Sequence, residues 1–356
     1  MKQGWLSNAS ATLVGSMPHK DRSKVIELIL DGVPEIPVWP QLPNFQPEQM
    51  LVQYIEGLPG LSIRNDSIYV NTDAPAFDDE LYAFYEEYME VEGGSKNLDD
   101  SRFKFGEETG KTFFQFLGAL RSKTPAPRAV KGQVVGPFTL LTSLKDPRDR
   151  PALYDERLQD AVPKHLAMKA RWQIQQLKSL GLPIIVFLDE PALAGFGSSA
   201  FISVSRELIQ QLLKEIVDAI HEAGALVGIH VCANTDWLLM FQSHVNIINL
   251  DAYNYFDKFA LYRNDFLKFM EGGGIVAWGM VPTSEPEAIL QETAESLSER
   301  WLREIQPLVA PGLPLQKILS QSLFTPSCGC GSLPEPLAEK VIQLTGSLSK
   351  IMKNRL

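Results

Sequence analysis

The chain has 356 residues, 45% of them hydrophobic, which is enough apolar surface for one large buried core. Its 43 acidic residues outnumber 33 basic ones for a formal net charge of −10, and no run of Lys or Arg supplies the footprint that nucleic acid or an anionic membrane requires. No apolar run spans a bilayer, residues 1–20 lack a signal-peptide core, and three cysteines make a poor disulfide framework, so the expectation is a single domain, 1–356, in a reducing cytoplasm, with neither nucleic acid nor membrane as partner.

Residues 11–16 read as a short apolar strand running into Gly15-Ser16-Met17-Pro18, and 21–30 follows with the helical spacing of Val25, Ile26, Leu28 and Ile29. A second strand, 34–39, breaks at Pro40-Gln41-Leu42-Pro43, after which 48–56 reads as a helix. Stretches 61–64 and 67–70 flank Asn65-Asp66 as a tight hairpin, and amphipathic helices follow at 78–91 and 103–120. Residues 60–128 thus form a long hairpin-and-helix insertion after the second strand, expected either over the site as a lid or packed on the end of the main sheet.

From residue 130 the alternation becomes regular. Strands are predicted at 132–135, 184–188, 225–232, 246–250, 275–279 and 317–324, with helices at 151–180, 205–223, 256–270, 285–305 and 333–351. Eight strands separated mostly by helices fit a parallel (β/α)8 TIM barrel or a doubly wound α/β sheet. Gly15-Ser16, Trp39-Pro40, Gly136-Pro137, Asp189-Glu190, His230 with Cys232, Asp251, Gly279 and Cys328 all fall at carboxyl ends of strands. Only a barrel gathers all eight ends on one face, so the barrel is the expected fold.

The cysteines sharpen this. His230 and Cys232 leave one face of a strand about 7 Å apart, near enough to close on one metal ion. Cys328 and Cys330 follow a second apolar run in a Gly-rich turn, and no other cysteine exists. Mixed imidazole and thiolate ligands favour Zn²⁺; a Cys328–Cys330 disulfide would close a small strained ring. Asp189-Glu190-Pro191 suggests either a site carboxylate, with Asp189 the better candidate, or acidic residues favouring a helix N-terminus.

Six stretches, Thr12-Leu13-Val14-Gly15-Ser16-Met17-Pro18, Gly136-Pro137-Phe138-Thr139-Leu140, Leu188-Asp189-Glu190-Pro191, His230-Val231-Cys232, Ile247-Ile248-Asn249-Leu250-Asp251 and Thr325-Pro326-Ser327-Cys328-Gly329, occur in one order over residues 12–329. In that order they resemble the catalytic half of cobalamin-independent methionine synthase, within the wider superfamily that includes uroporphyrinogen decarboxylase. The resemblance implies a (β/α)8 barrel and zinc-dependent methyl transfer to a thiol. It implies His230, Cys232 and Cys328 as zinc ligands, with Asp251 where the family has a fourth, glutamate ligand. It further implies Gly15 and Ser16 for a substrate carboxylate and Asp189 near a substrate amine, with Asn44 standing where the family has a glutamate; Cys330 is unmatched. Trp39-Pro40-Gln41-Leu42-Pro43 resembles the corrinoid methyltransferase and decarboxylase branch instead, although 35–60 lacks the arginines a tetrapyrrole decarboxylase needs.

The donor is read from the leaving group. A folate amine departs only when protonated, and the stretch 279–286, where the synthase has a catalytic histidine, contains none, although Glu285 is a candidate substitute acid. Co(I) leaves a methylcorrinoid (methylcobalamin or its protein-bound form) without a proton. The expectation is a thiol S-methyltransferase with Zn²⁺ as cofactor, a small-molecule thiol as substrate and a corrinoid protein as partner. The alternatives are a folate- and homocysteine-using methionine synthase, a decarboxylase-like enzyme, and a non-catalytic zinc- or thiol-binding protein.

Overall fold

The computed structural model describes residues 5–64 and 67–356; the Asn65-Asp66 turn expected in the hairpin lies outside them. Strand β1 (Ser10–Ala11) leads to helix α1 (Arg22–Gly32), which begins where the Asp21 carboxylate accepts the Lys24 N–H at 3.1 Å. Then come α2 (Val52–Ile55), the antiparallel pair β2 (Leu61–Arg64) and β3 (Ser67–Val70), α3 (Phe77–Glu92) and α4 (Lys111–Arg121). Strand β4 (Val130–Val135) is followed by α5 (Pro137–Ser143) and α6 (Glu156–Lys178), β5 (Ile184–Asp189) by α7 (Arg206–Glu222), and β6 (Leu226–Val231) by α8 (Trp237–Phe241). Strand β7 (Ile247–Leu250) precedes α9 (Ala252–Ala260) and α10 (Arg263–Glu271). Strand β8 (Ile275–Val281) precedes α11 (Pro286–Gln291), α12 (Ala294–Glu304) and α13 (Leu315–Ser320), and the chain closes with β9 (Ser322–Pro326) and α14 (Glu335–Lys353).

Among the described residues the main sheet has seven parallel strands in the order β1-β9-β8-β7-β6-β5-β4, curled as half a barrel and flanked by helices. Residues 34–39, expected as a strand, form none. Pro34, Pro37 and Pro40 carry no N–H to donate, so no regular ladder can build. The segment nevertheless touches both edges of the sheet. Single bridges join Val38 to Lys131 and Gln41 to Ser16, and the Gln41 N–H donates to the Gly15 carbonyl at 3.0 Å.

Other boundaries also shift. The expected strand 317–324 is divided: 317–320 belong to α13, where Leu315, Ile318 and Leu319 repeat with helical spacing, and 322–324 join β9. Gly106 and Gly110 delay the helix expected from 103 until Lys111. Helix 48–56 is reduced to α2 after a short 3₁₀ turn. Helix 256–270 is two helices meeting at Leu261-Tyr262, and 285–305 breaks where Thr293 and Ser296 form a capping box for α12.

Residue parity sorts the sheet's two faces. Val186, Leu188, Val227, Ile229, Ile248, Val276, Trp278 and Phe324 join the large apolar core beneath the helices. The alternate positions, Ala129, Ile185, Phe187, Leu226, Ile247, Ile275, Ala277 and Leu323, form a separate apolar cluster inside the curl together with Ile36. Continued toward the carboxyl ends, the inner parity reaches Asp189, His230, Asn249 and Thr325, all buried. The alternation that builds an apolar floor therefore delivers four polar side chains above it.

The insertion packs on the flank. Phe105 and Phe113 meet Trp39 edge-on at 6.1 and 5.7 Å, Phe84 and Phe103 enclose His165 of α6, and Arg22 of α1 donates to Glu48 and Thr112. Among the described residues no helix is long and apolar enough to cross a membrane.

Candidate metal centre

His230, the next-to-last residue of β6, and Cys232, just past its end, meet Cys328, which the turn after β9 carries inward; their ligand atoms all lie within 4.8 Å of one another. Ligands about 2.0–2.3 Å from a tetrahedral zinc stand roughly 3.4–3.8 Å apart, so small side-chain movements close this trio on an ion. The protonation of the imidazole is set from behind. Asn249, its partner across β7, donates its amide N–H groups to the Ala277 carbonyl at 2.8 Å and the Thr325 hydroxyl at 2.9 Å. A carbonyl can only accept, so the Asn249 Oδ1 must face His230, whose Nδ1–H donates to it at 2.6 Å. The lone pair is then on Nε2, which is buried and has no hydrogen-bond partner. A buried, unanswered acceptor beside two thiols is what a soft divalent cation would satisfy.

The thiols are unequal. A hydrogen bond from Cys328 favours Cys232 as the thiolate, with the charge of His230 adding to this when the ring is protonated, and the same cysteine pairing pushes the Cys328 thiol up. Burial works against a charged His230, but its interactions with Cys232 and Asp189 outweigh it and raise its pKa. Cys330 lies outside the trio, buried, with its thiol pushed up to about 12 by burial.

The trio opens on a cavity of about 400 Å³ that is also lined by Ser16, Gln41, Met50 and Asp189. Gly15 has φ +141°, a conformation few side chains tolerate, and turns the chain so that Ser16 faces the cavity. The Cys330 N–H donates to the Ser16 carbonyl at 2.7 Å, and a Cβ on Gly331 would stand 2.2 Å from the Ser16 hydroxyl oxygen. Glycine there lets the two turns close.

Asp189 faces the cavity with Oδ1 unpartnered; burial raises its carboxyl to about 6 against the attraction of Lys131 and His230. Glu190 points away and accepts from the Phe138 and Thr139 N–H groups at the start of α5, at 3.0 and 2.8 Å, and from the Thr139 hydroxyl at 2.6 Å; burial still lifts it to about 7. Of the pair, only Glu190 serves a helix N-terminus, and it is that of α5 and not of the turn that follows Pro191.

Three expected residues sit elsewhere. Asp251 is outside the trio: it caps α9, accepting the Asn254 N–H at 2.9 Å and the Asn254 side-chain amide at 2.8 Å, and burial raises its pKa. Asn44 is exposed and donates to the Pro18 carbonyl instead of lining the cavity. Gly15 shapes the turn, whereas Ser16 reaches the wall. No described residue of 60–128 lines this cavity.

The sequence reading missed Gln41 and Asn249. Gln53 donates to the Thr109 carbonyl and accepts from the Gln41 amide at 2.8 Å, which leaves the Gln41 carbonyl oxygen as its free group. Asn249 was legible from parity, two residues before Asp251 on the inner face. Replacing Asn249 by Leu removes the acceptor behind His230, so zinc affinity measured by chelator competition should fall about 10–100-fold. An unchanged affinity would show that Asn249 does not orient the ligand.

Neither a scan against protein-family models nor a search of curated proteins finds a match for this chain.

Proposed function

We propose that the chain is a zinc-dependent methyltransferase that methylates a small thiol, built on a (β/α)8 barrel whose eighth position is the proline-interrupted segment 34–39. The bridge from Val38 to Lys131, and that from Gln41 just past the segment to Ser16, support the closure. The observation that carries the functional reading is the unpartnered His230 Nε2 facing Cys232 and Cys328 on the wall of a cavity of about 400 Å³. Three protein ligands with the fourth side toward a cavity make a catalytic rather than a structural zinc site. Zinc held there would lower the pKa of a thiol entering that fourth side, so that it is a nucleophilic thiolate at neutral pH.

The chain's own groups would do the rest. Asp189 Oδ1 and the Gln41 carbonyl oxygen are acceptors on the same wall, suited to a cationic amine on the thiol substrate. Ser16 offers a hydroxyl to an anionic end. Methyl transfer from a methylcorrinoid forms the S–C bond as the Co–C bond breaks, its electron pair staying on cobalt. No protein acid is then required, in keeping with a segment 279–286 that holds no histidine. Single-turnover methylation of a panel of amino thiols should proceed with methylcobalamin or a methylated corrinoid protein and not with methyltetrahydrofolate. Robust turnover with the folate alone would replace this donor by the alternative, and no methylation with any donor would remove the enzymatic reading.

A further inference from the structure

A second cluster of metal-ligating side chains lies apart from the cavity. His19 follows the Ser16 turn by three residues, and Glu335 and Glu339 stand one turn apart at the start of α14. Their ligand atoms all lie within 4.8 Å of one another, with His19 Nε2 3.7 Å from a Glu339 oxygen. His19 is fully enclosed, at 0% exposure, yet neither ring nitrogen has a hydrogen-bond partner. An imidazole carries a donor and an acceptor, and leaving such groups buried and unmet is unfavourable. Apart from the 3.7 Å approach of the Glu339 carboxylate, which is too long for a hydrogen bond, the chain offers the ring nitrogens no partner.

The flanking cation does not complete it. Lys24 pairs with Glu339 at 2.7 Å and approaches Glu335 at 3.9 Å, but it makes no bond to His19 and its side chain is 48% exposed, free to turn to water. The Lys20 N–H donates weakly to Glu335 at 3.4 Å and leaves the other carboxylate oxygens available. Nitrogen and oxygen ligands held by zinc at about 2.0–2.2 Å stand roughly 3.4 Å apart, close to the separation of His19 and Glu339. One imidazole with two carboxylates suits a borderline divalent ion such as zinc better than calcium or magnesium, which prefer all-oxygen sets.

We propose that His19, Glu335 and Glu339 form a second divalent transition-metal site that clamps the segment after Ser16 to the start of α14. Because His19 is three residues from Ser16, occupancy would fix one wall of the cavity from outside it. This inference does not depend on the function proposed above.

The test counts metal. Apo protein equilibrated with Zn²⁺ and freed of excess should hold two zinc ions per chain by elemental analysis, and one after either His19→Ala or Glu339→Gln. The Cys232→Ser/Cys328→Ser double variant should retain one zinc, lost when Glu339→Gln is added. With Co²⁺ in that double variant, the bound ion should show no thiolate charge-transfer absorption. Should the double variant fail to fold, the wild-type and Glu339→Gln counts decide alone. Zinc content unchanged by both His19→Ala and Glu339→Gln overturns the proposal. A chain whose zinc survives the cysteine changes but not His19→Ala would uphold this site and refute the other.

Discussion

Cys232→Ser and Cys328→Ser should each remove the zinc bound at the His230 cluster and abolish methyl transfer, whereas Cys330→Ser should change neither. An ion at the proposed His19 site would add to the total metal count, so the loss is read from cobalt-thiolate absorption, which reports only sulfur ligands. A serine hydroxyl is too weak an acid to serve as an anionic ligand at neutral pH, and its oxygen is harder than the thiolate it replaces. Losing one ligand of three leaves an imidazole and one thiol, too few to hold zinc against water. Cys330 is two residues from Cys328 but buried away from the trio, its thiol pushed to about 12 by apolar surroundings, the environment of an inert structural cysteine. Loss of the cobalt-thiolate band in the Cys330 variant, with its persistence in the Cys328 variant, would reverse the assignment.

That contrast also shows what the sequence made legible. His230 and Cys232 could be put on one face because strand parity is strict, and the same parity separates Ile185 and Phe187 from Val186 and Leu188. Which of two cysteines in a Gly-rich turn points inward depends on a loop conformation that has no period. Asp251 illustrates a second limit. An aspartate ending a strand and opening a helix is equally a metal ligand or an N-cap, and Asn254 three residues on supplies the N–H that claims it as a cap. The segment 34–39 illustrates a third: its apolar residues are those of a strand, but its prolines remove the donors, and only tertiary contacts show where it lies. Gln41 was hidden because its orientation is fixed by Gln53, twelve residues on and itself held by Thr109.

Asp189→Asn should lower kcat/KM about 10–100-fold while leaving the melting temperature within a few degrees of wild type. The activity loss follows from replacing a charged acceptor by a neutral amide where the proposed substrate amine would bind; a hydrogen bond to a charged group is worth about 1.5–3 kcal/mol. The stability effect has two opposing parts. Burial lifts the Asp189 carboxyl to about 6, so the folded protein holds its proton more tightly than the unfolded chain does. Ionisation of Asp189 therefore costs stability as the pH rises from about 4 through 6, by roughly 2–3 kcal/mol if this group acted alone. Asparagine removes that cost, which favours the variant above pH 6 and gives it no advantage below pH 4. Against this, Lys131 is buried one strand away, its amine lowered to about 8 by desolvation and supported by the Asp189 charge. The variant withdraws that support, and the two changes offset each other near neutral pH. Melting curves from pH 4 to 8 with kinetics on the same samples distinguish the roles. A fall of 10 °C or more at neutral pH with kcat/KM preserved in the surviving folded fraction would make Asp189 a structural partner of Lys131 and not a substrate-binding group.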